Sequence, residues 1–97
     1  MSIIQFEWDP AKARINLARH GVAFEDAQLV WDDPNHILLL ERYESGEERW
    51  QVIGYANSMV ILVVWHTYPD ADDDNRVRII GARKAERRER SAYEQSP

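Results

Sequence analysis

Lys12, Asn16 and His20 stand four residues apart, with Arg19 beside the last. A helix through this stretch puts a cation, an amide and an imidazole on one face. His20 falls in the last turn, where the helix dipole favours the protonated ring; a C-terminal capping histidine on a solvated face explains the same spacing. A second set is cationic. Arg49, Arg76, Arg78 and Arg83 fall on or beside strand positions. Arg76 and Arg78 share a face because strand side chains alternate, and Arg49 can join them from a neighbouring strand. Guanidinium groups match phosphate with paired donors and stay charged at any working pH. Clustered cations repel, so such a group persists only with an anion or carboxylates nearby, and Glu7 and Glu89 are the candidate carboxylates. The plainer reading gives each arginine its own surface ion pair, worth ~0–1 kcal/mol. Tyr93, one turn beyond Glu89, can donate to a phosphate or serve as a packed anchor.

The positive charge is concentrated. From Arg76 to Arg90 there are seven basic residues, Lys84 among them, against Glu86 and Glu89. Residues 22–74 hold twelve acids and two arginines, a net of −10, whereas residues 75–97 hold seven bases and three acids, a net of +4. This pattern points to a phosphate-bearing partner, nucleic acid first. The overall charge of −5 argues against non-specific binding along duplex DNA, where affinity comes from neutralising many phosphates.

Other chemistries find little support. There is no cysteine, which removes disulfides, thiolate metal sites and a cysteine nucleophile. Asp70-x-Asp72-x-Asp74-Asn75 opens like a calcium loop, but Gly81 stands where a bidentate carboxylate is needed. His20, His36 and His66 show no metal-ligand spacing. There is no glycine-rich phosphate loop and no Gly-x-Ser-x-Gly elbow. Neither a metal nor an organic cofactor is expected.

These side chains need elements to hold them. Ile3 to Trp8 reads as a short extended entry. Asp9 can cap a helix that Pro10 begins, running to about His20 with Gly21 as its left-handed terminator. A second helix is expected from Phe24 to Trp31, with Phe24, Ala27, Val30 and Trp31 on one face, and Ile15 and Ala18 of the first helix are free to pack. Strands come next at His36–Tyr43, Arg49–Tyr55, Met59–Thr67 and Arg76–Ala82, then a helix from Arg83 to about Tyr93. The fold class is α+β: two N-terminal helices and one C-terminal helix on a four-stranded antiparallel sheet, with the N-terminal segment available as a further short strand. Ninety-seven residues make a single domain, 1–97. The opening Met-Ser-Ile-Ile-Gln-Phe-Glu carries no basic leader before an apolar run. The longest apolar run, Met59 to Trp65, is seven residues, far short of the about twenty a membrane helix needs. A cytoplasmic protein without a membrane partner is expected. Exposed aromatics such as Trp50, Tyr55 and Trp65 offer a docking surface, although at least one should be core.

Two blocks of the chain resemble the BrnT toxins. The first is Phe6-Glu7-Trp8-Asp9-x-x-Lys12-x-x-x-Asn16-x-x-Arg19-His20-Gly21-Val22-x-Phe24-x-x-Ala27. The second is Arg78-Ile79-Ile80-Gly81-Ala82-Arg83-Lys84-Ala85-x-x-x-Glu89-Arg90-x-x-Tyr93, with Glu48-Arg49 and Gly54 between the two. Arg19, Ala23 and Gly81 depart from the commoner lysine, serine and serine. The resemblance implies a RelE-like fold and a metal-independent ribonuclease toxin of a bacterial type II toxin–antitoxin pair. It also implies neutralisation by a BrnA-type antitoxin in a hetero-oligomer, and contact with operator DNA only through that antitoxin. Carried over by position, the catalytic candidates are His20, Lys12, Glu7, Arg49, Arg78, Arg83 and Tyr93, and the RNA-binding candidates are Arg76, Lys84 and Arg19. Metal-free cleavage needs a base for the ribose 2′-OH, cations for the phosphorane and an acid for the 5′-oxygen. His20 is the first choice for proton transfer and Glu7 the second. The competing reading is a non-catalytic protein- or RNA-binding module using the same basic patch.

Overall fold

The computed structural model describes residues 3–96. Met1 and Ser2, the start of the opening expected to carry no leader, and Pro97 lie outside the described residues. In chain order the elements are β1 (Gln5–Glu7), α1 (Pro10–His20), α2 (Phe24–Ala27), a 3-10 segment (Gln28–Asp32), β2 (Ile37–Glu44), β3 (Glu47–Ala56), β4 (Val60–Thr67), β5 (Arg76–Lys84) and α3 (Arg87–Glu94). They build one sheet in the order β1-β5-β4-β3-β2. β2 to β5 are sequential antiparallel neighbours. β1 adds a fifth strand, parallel to β5, with Gln5 opposite Arg76 and Glu7 opposite Arg78. The expected α+β architecture is present, completed at its edge by the N-terminal segment.

Local signals explain the first helix. The Asp9 carboxylate accepts from the Ala11 N–H at 2.8 Å, and Pro10 sits where no donor is needed. Gly21 takes φ 71° and its N–H returns to the Leu17 carbonyl, closing the helix. The inward face differs from expectation. Ile15 is 57% exposed and Ala18 is exposed, while Ala13 and Asn16 turn inward. The Asn16 amide donates to the carbonyls of Val22 (3.0 Å) and Ala82 (2.8 Å) and accepts from the Ala82 N–H (3.1 Å). Beyond the end of β1, the outward backbone groups of β5 have no strand partner, and the Asn16 side chain takes that place. Asn16 therefore belongs to the architecture and not to a polar stripe on a solvated face.

Two other elements shift. The second helix is α-helical only to Ala27 and continues as a 3-10 segment to Asp32. Phe24, Ala27 and Val30 remain fully buried as the spacing predicts. The tighter coil lays Val30 directly over Gly54, where a built Cβ meets Val30 Cγ1 and Asp33 Oδ2 at 3.0 Å. A side chain at this position would require these neighbours to give way by a few tenths of an ångström. The last helix begins at Arg87, not Arg83, because Arg83 and Lys84 stay in the ladder opposite Val63 and Leu62. Glu86 and Glu89 then form a reciprocal capping box at its start.

The sheet is covered on both faces. Val52, Leu62, Val64, Val77, Ile79 and Ala82 pack with Phe24, Ala27 and Val30 on one side. Ile53, Ile61 and Val63 pack with Ala85 and Tyr93, under α3, on the other. Among the described residues no helix is long and apolar enough to cross a membrane.

Candidate active site

Two irregularities in the strands create one row of side chains. Between β2 and β3 the register runs Leu40–Trp50 and then Arg42–Arg49, leaving Glu41 as an extra residue. Between β4 and β5 it runs Trp65–Gly81 and then His66–Ile79, leaving Ile80 extra. Each bulge reverses the facing of the residues beyond it. The first turns Arg42 onto the face of Arg49. The second puts Arg78 opposite Thr67 while Val77 and Ile79 stay in the core. With Arg49 opposite Thr67 and Glu7 opposite Arg78, all five strands contribute to a line: Arg42, Arg49, Thr67, Arg78, Glu7. At ~4.8 Å per strand the three arginines span about 14 Å.

Carboxylates hold the row's ends. Glu7 accepts from Arg76 Nη2 at 3.0 Å and from Arg78 Nε and Nη2 at 3.1 and 2.8 Å. These bonds, the Arg78 pair first, hold its pKa below the usual carboxylate range. Glu44 accepts from Arg42 Nη2 at 3.2 Å and also from Arg49. Between the two carboxylates lies a concavity bordered by Lys12, Arg49, Thr67, Arg78 and Ile80, with Glu44, Ser45 and Glu47 of the β2–β3 hairpin at its rim. Buried Arg49 Nε and Thr67 Oγ1 have no hydrogen-bond partner among the described residues. Such groups call for an explanation, and a ligand is one.

The other sequence-predicted residues are spread more widely. His20 and Arg19 border an adjoining groove with Ile15 and Asn16, joined to the concavity through Lys12 and Ile80. Eight helical residues separate His20 from Lys12, about 12 Å along the axis. Arg83 shares the sheet face but lies opposite Val63, about 13 Å along β4 from Thr67. It grips Glu89 in a fork of 2.7 and 2.8 Å, reaches Glu86 at 3.6 Å, and lies 5.0 Å over the Trp65 ring. The Glu89 bond raises its pKa and lowers that of Glu89. Arg76 is the outermost cation, bound to Glu7, with Asp70 and Asp73 nearby. Lys84 lies on the opposite face, in a groove with Gly21 and Asp26.

Tyr93 stands apart from the row. Its hydroxyl donates to Asp33 Oδ2 at 2.6 Å, and that oxygen also accepts from the Tyr55 N–H at 2.8 Å. Burial and this bond push the Tyr93 pKa up to about 12. The ring packs edge-on against Tyr55 at 5.5 Å, so Tyr93 pins α3 to the loop before β2. The other aromatics are engaged too. Trp65 Nε1 donates to Glu41 at 2.7 Å, and Trp50 packs edge-on against Tyr68. In the acidic loop, Asp70 and Asp73 accept from the N–H groups of Asp72 and Asn75, so their carboxylates brace their own turns. Among the described residues no group of three or more His, Cys, Asp or Glu could hold a metal ion.

Arg42, Thr67 and Glu44 were not legible as site residues. Arg42 and Glu44 owe their facing to the bulge at Glu41, and a period-2 reading has no marker for an extra residue. Thr67 keeps a regular register with Arg49 and joins the row because the bulge at Ile80 sets Arg78 opposite it. The arrangement as a whole can bind a phosphodiester and stabilise negative charge on it. Residues 8–89 match the family model for the ribonuclease toxin BrnT of type II toxin–antitoxin systems. The 1.1 Å crystal structure of the Brucella abortus ribonuclease toxin BrnT superposes with a TM-score of 0.61 at 22% identity, covering 87% of this chain and 99% of that one. This second likeness bears on the fold. No curated protein matches the chain.

Proposed function

Because the chain belongs to the BrnT family of ribonuclease toxins of type II toxin–antitoxin systems, we propose that the concavity between Arg49, Thr67 and Arg78 is where it cuts RNA. The observation that carries this reading is the row itself. Two guanidinium groups flank a hydroxyl, Lys12 borders the same space, and two buried donors have no partner among the described residues. A phosphodiester seated there takes its paired donors from Arg49 and Arg78 and a further bond from Thr67. As the 2′-oxygen attacks phosphorus, charge grows on the non-bridging oxygens that these groups hold. Preorganised donors and cations of this kind each contribute on the order of 2–4 kcal/mol to lowering the barrier. The P–O5′ bond breaks, leaving a 2′,3′-cyclic phosphate and a 5′-hydroxyl. The cations supply the charge that a metal would otherwise bring, so the reaction is metal-independent.

Glu7 is an orienting group. Fixed by three hydrogen bonds and held below the usual carboxylate range, it is a weak base but a firm brace for Arg76 and Arg78. Proton transfer falls to His20. His20 borders the groove that joins the concavity through Lys12 and Ile80, and that groove is its route to the scissile phosphate. Arg19, beside it, holds the strand as it passes. Arg83 keeps α3 seated on the sheet through Glu89. As in other type II pairs, a BrnA-type antitoxin neutralises the toxin, and the acidic body meets operator DNA only through that partner.

An end-labelled RNA oligonucleotide with one 2′-deoxy position, incubated with and without a chelator, tests the chemistry. Cleavage is expected to vanish at that position and to survive the chelator. Cleavage that persists at the deoxy position removes the 2′-OH from the mechanism. With His20→Ala, a large fall in kcat with KM little changed is expected, and a change in KM alone would reduce His20 to strand binding.

A further inference from the structure

We infer that Arg42 and Arg49, facing each other across β2 and β3, form a second phosphate subsite for the RNA strand, held in the free protein by the Glu44 carboxylate. This rests on the cleavage site proposed above and extends it toward the hairpin. Arg42 is not needed by the fold. Its side chain is 56% exposed, and its other carboxylate contact is a loose 3.7 Å to Glu41, whose second oxygen already serves Trp65 and Gln51. What puts Arg42 on the working face is the bulge at Glu41, a local disruption of the ladder that leaves one residue unpaired. The result is a guanidinium pair one strand apart with a single oxygen, Glu44 Oε2, between them. A carboxylate so placed stands in for a phosphate oxygen.

Glu44 is easily exchanged. It ends β2 beside the turn formed by Ser45 (φ 53°) and Gly46 (φ 80°), and its side chain is 52% exposed. Exposed ion pairs of this sort are worth ~0–1 kcal/mol. A phosphodiester brings a full charge spread over two oxygens and can satisfy both forks. The Glu7 position at the far end of the row has a different character, since three hydrogen bonds from two arginines fix it. A strand laid across the sheet therefore keeps the Glu7 brace, displaces Glu44, and places successive phosphates at Arg78–Arg49 and at Arg49–Arg42.

Binding of a 2′-O-methyl RNA oligonucleotide, which cannot be cut by 2′-OH attack, is measured by fluorescence anisotropy over a salt series. Glu44→Gln is expected to tighten binding about three- to tenfold. Glu47→Gln is the control: it removes the same charge from the residue opposite Glu44 in the hairpin, so a distinctly smaller gain is expected there. Arg42→Gln is expected to weaken binding and to reduce the salt slope by about 0.7. In the double variant the Glu44→Gln gain disappears. Equal tightening by the two glutamine variants, or an unchanged slope in Arg42→Gln, overturns the subsite and leaves nothing but net charge. Cleavage of unmodified RNA by the wild type is followed alongside. A wild type that cuts while the variants behave alike sinks the subsite alone, and one that neither cuts nor binds sinks the cleavage site with it.

Discussion

His66 is wholly enclosed, with the Trp31 and Tyr68 rings edge-on at 4.9 and 5.2 Å and the Val64 backbone as a polar neighbour. Burial lowers its pKa from an ordinary 6.5 to about 4. The fold thus holds the neutral ring, while the unfolded chain takes up a proton below pH 6.5. The resulting stabilisation is complete above that value and is lost as pH falls toward 4. Between pH 7 and pH 5 the loss is on the order of 2 kcal/mol. Urea unfolding at the two pH values measures it, and His66→Phe is expected to remove most of the difference. A wild type equally stable at both would mean that the enclosed ring takes up its proton as readily as the unfolded one. Residue roles were unevenly legible in the sequence. Arg76 and Arg78 could be placed on one face by alternation and Glu7 was readable as a carboxylate for the cluster, but Arg49 joins them from across β4 and not from a neighbouring strand. Arg42 was hidden by a bulge and Thr67 by its lack of charge, and Tyr93 could not be assigned to Asp33 because those two residues meet only in the folded chain.

At the scale of elements, α1 and β5 depend on one amide. Asn16 completes the ladder where β1 ends, and by fixing α1 against β5 it brings Lys12 to the rim of the concavity. Asn16→Ala leaves the buried Ala82 N–H and carbonyl unpaired. A loss on the order of 2–4 kcal/mol in urea unfolding is expected, with faster amide exchange at Ala82. An unchanged exchange rate there would show that another group closes the edge. The helix spans with strong local punctuation were readable: Asp9-Pro10 and Gly21 bracket α1 because capping is decided within one turn. The break after Ala27 and the late start of α3 were not. Both are tertiary results, the first of Val30 closing on Gly54 and the second of Arg83 and Lys84 pairing with β4.

For the molecule as a whole, the charge asymmetry seen in the sequence becomes a spatial one. The basic segment threads through an acidic body; Glu7 and Glu44 each join two arginines that would otherwise repel, and Glu89 holds Arg83. The cations are thereby preorganised, and the most exposed of these carboxylates, Glu44, is the one whose exchange for phosphate is proposed above. The segregation of charge along the chain was legible. Its division into a working set, Arg42, Arg49 and Arg78, and a structural one, Arg83 with Glu89, required the strand register. The proposed nuclease site stands on that division, and single-turnover cleavage of an end-labelled RNA tests it most directly. Arg78→Ala is expected to lose about a hundredfold or more in rate while melting close to wild type. Arg83→Ala is expected to melt lower but, below its transition, to cut within a few-fold of wild type. Full-rate cleavage by folded Arg78→Ala, with the loss falling on Arg83→Ala instead, would contradict the division.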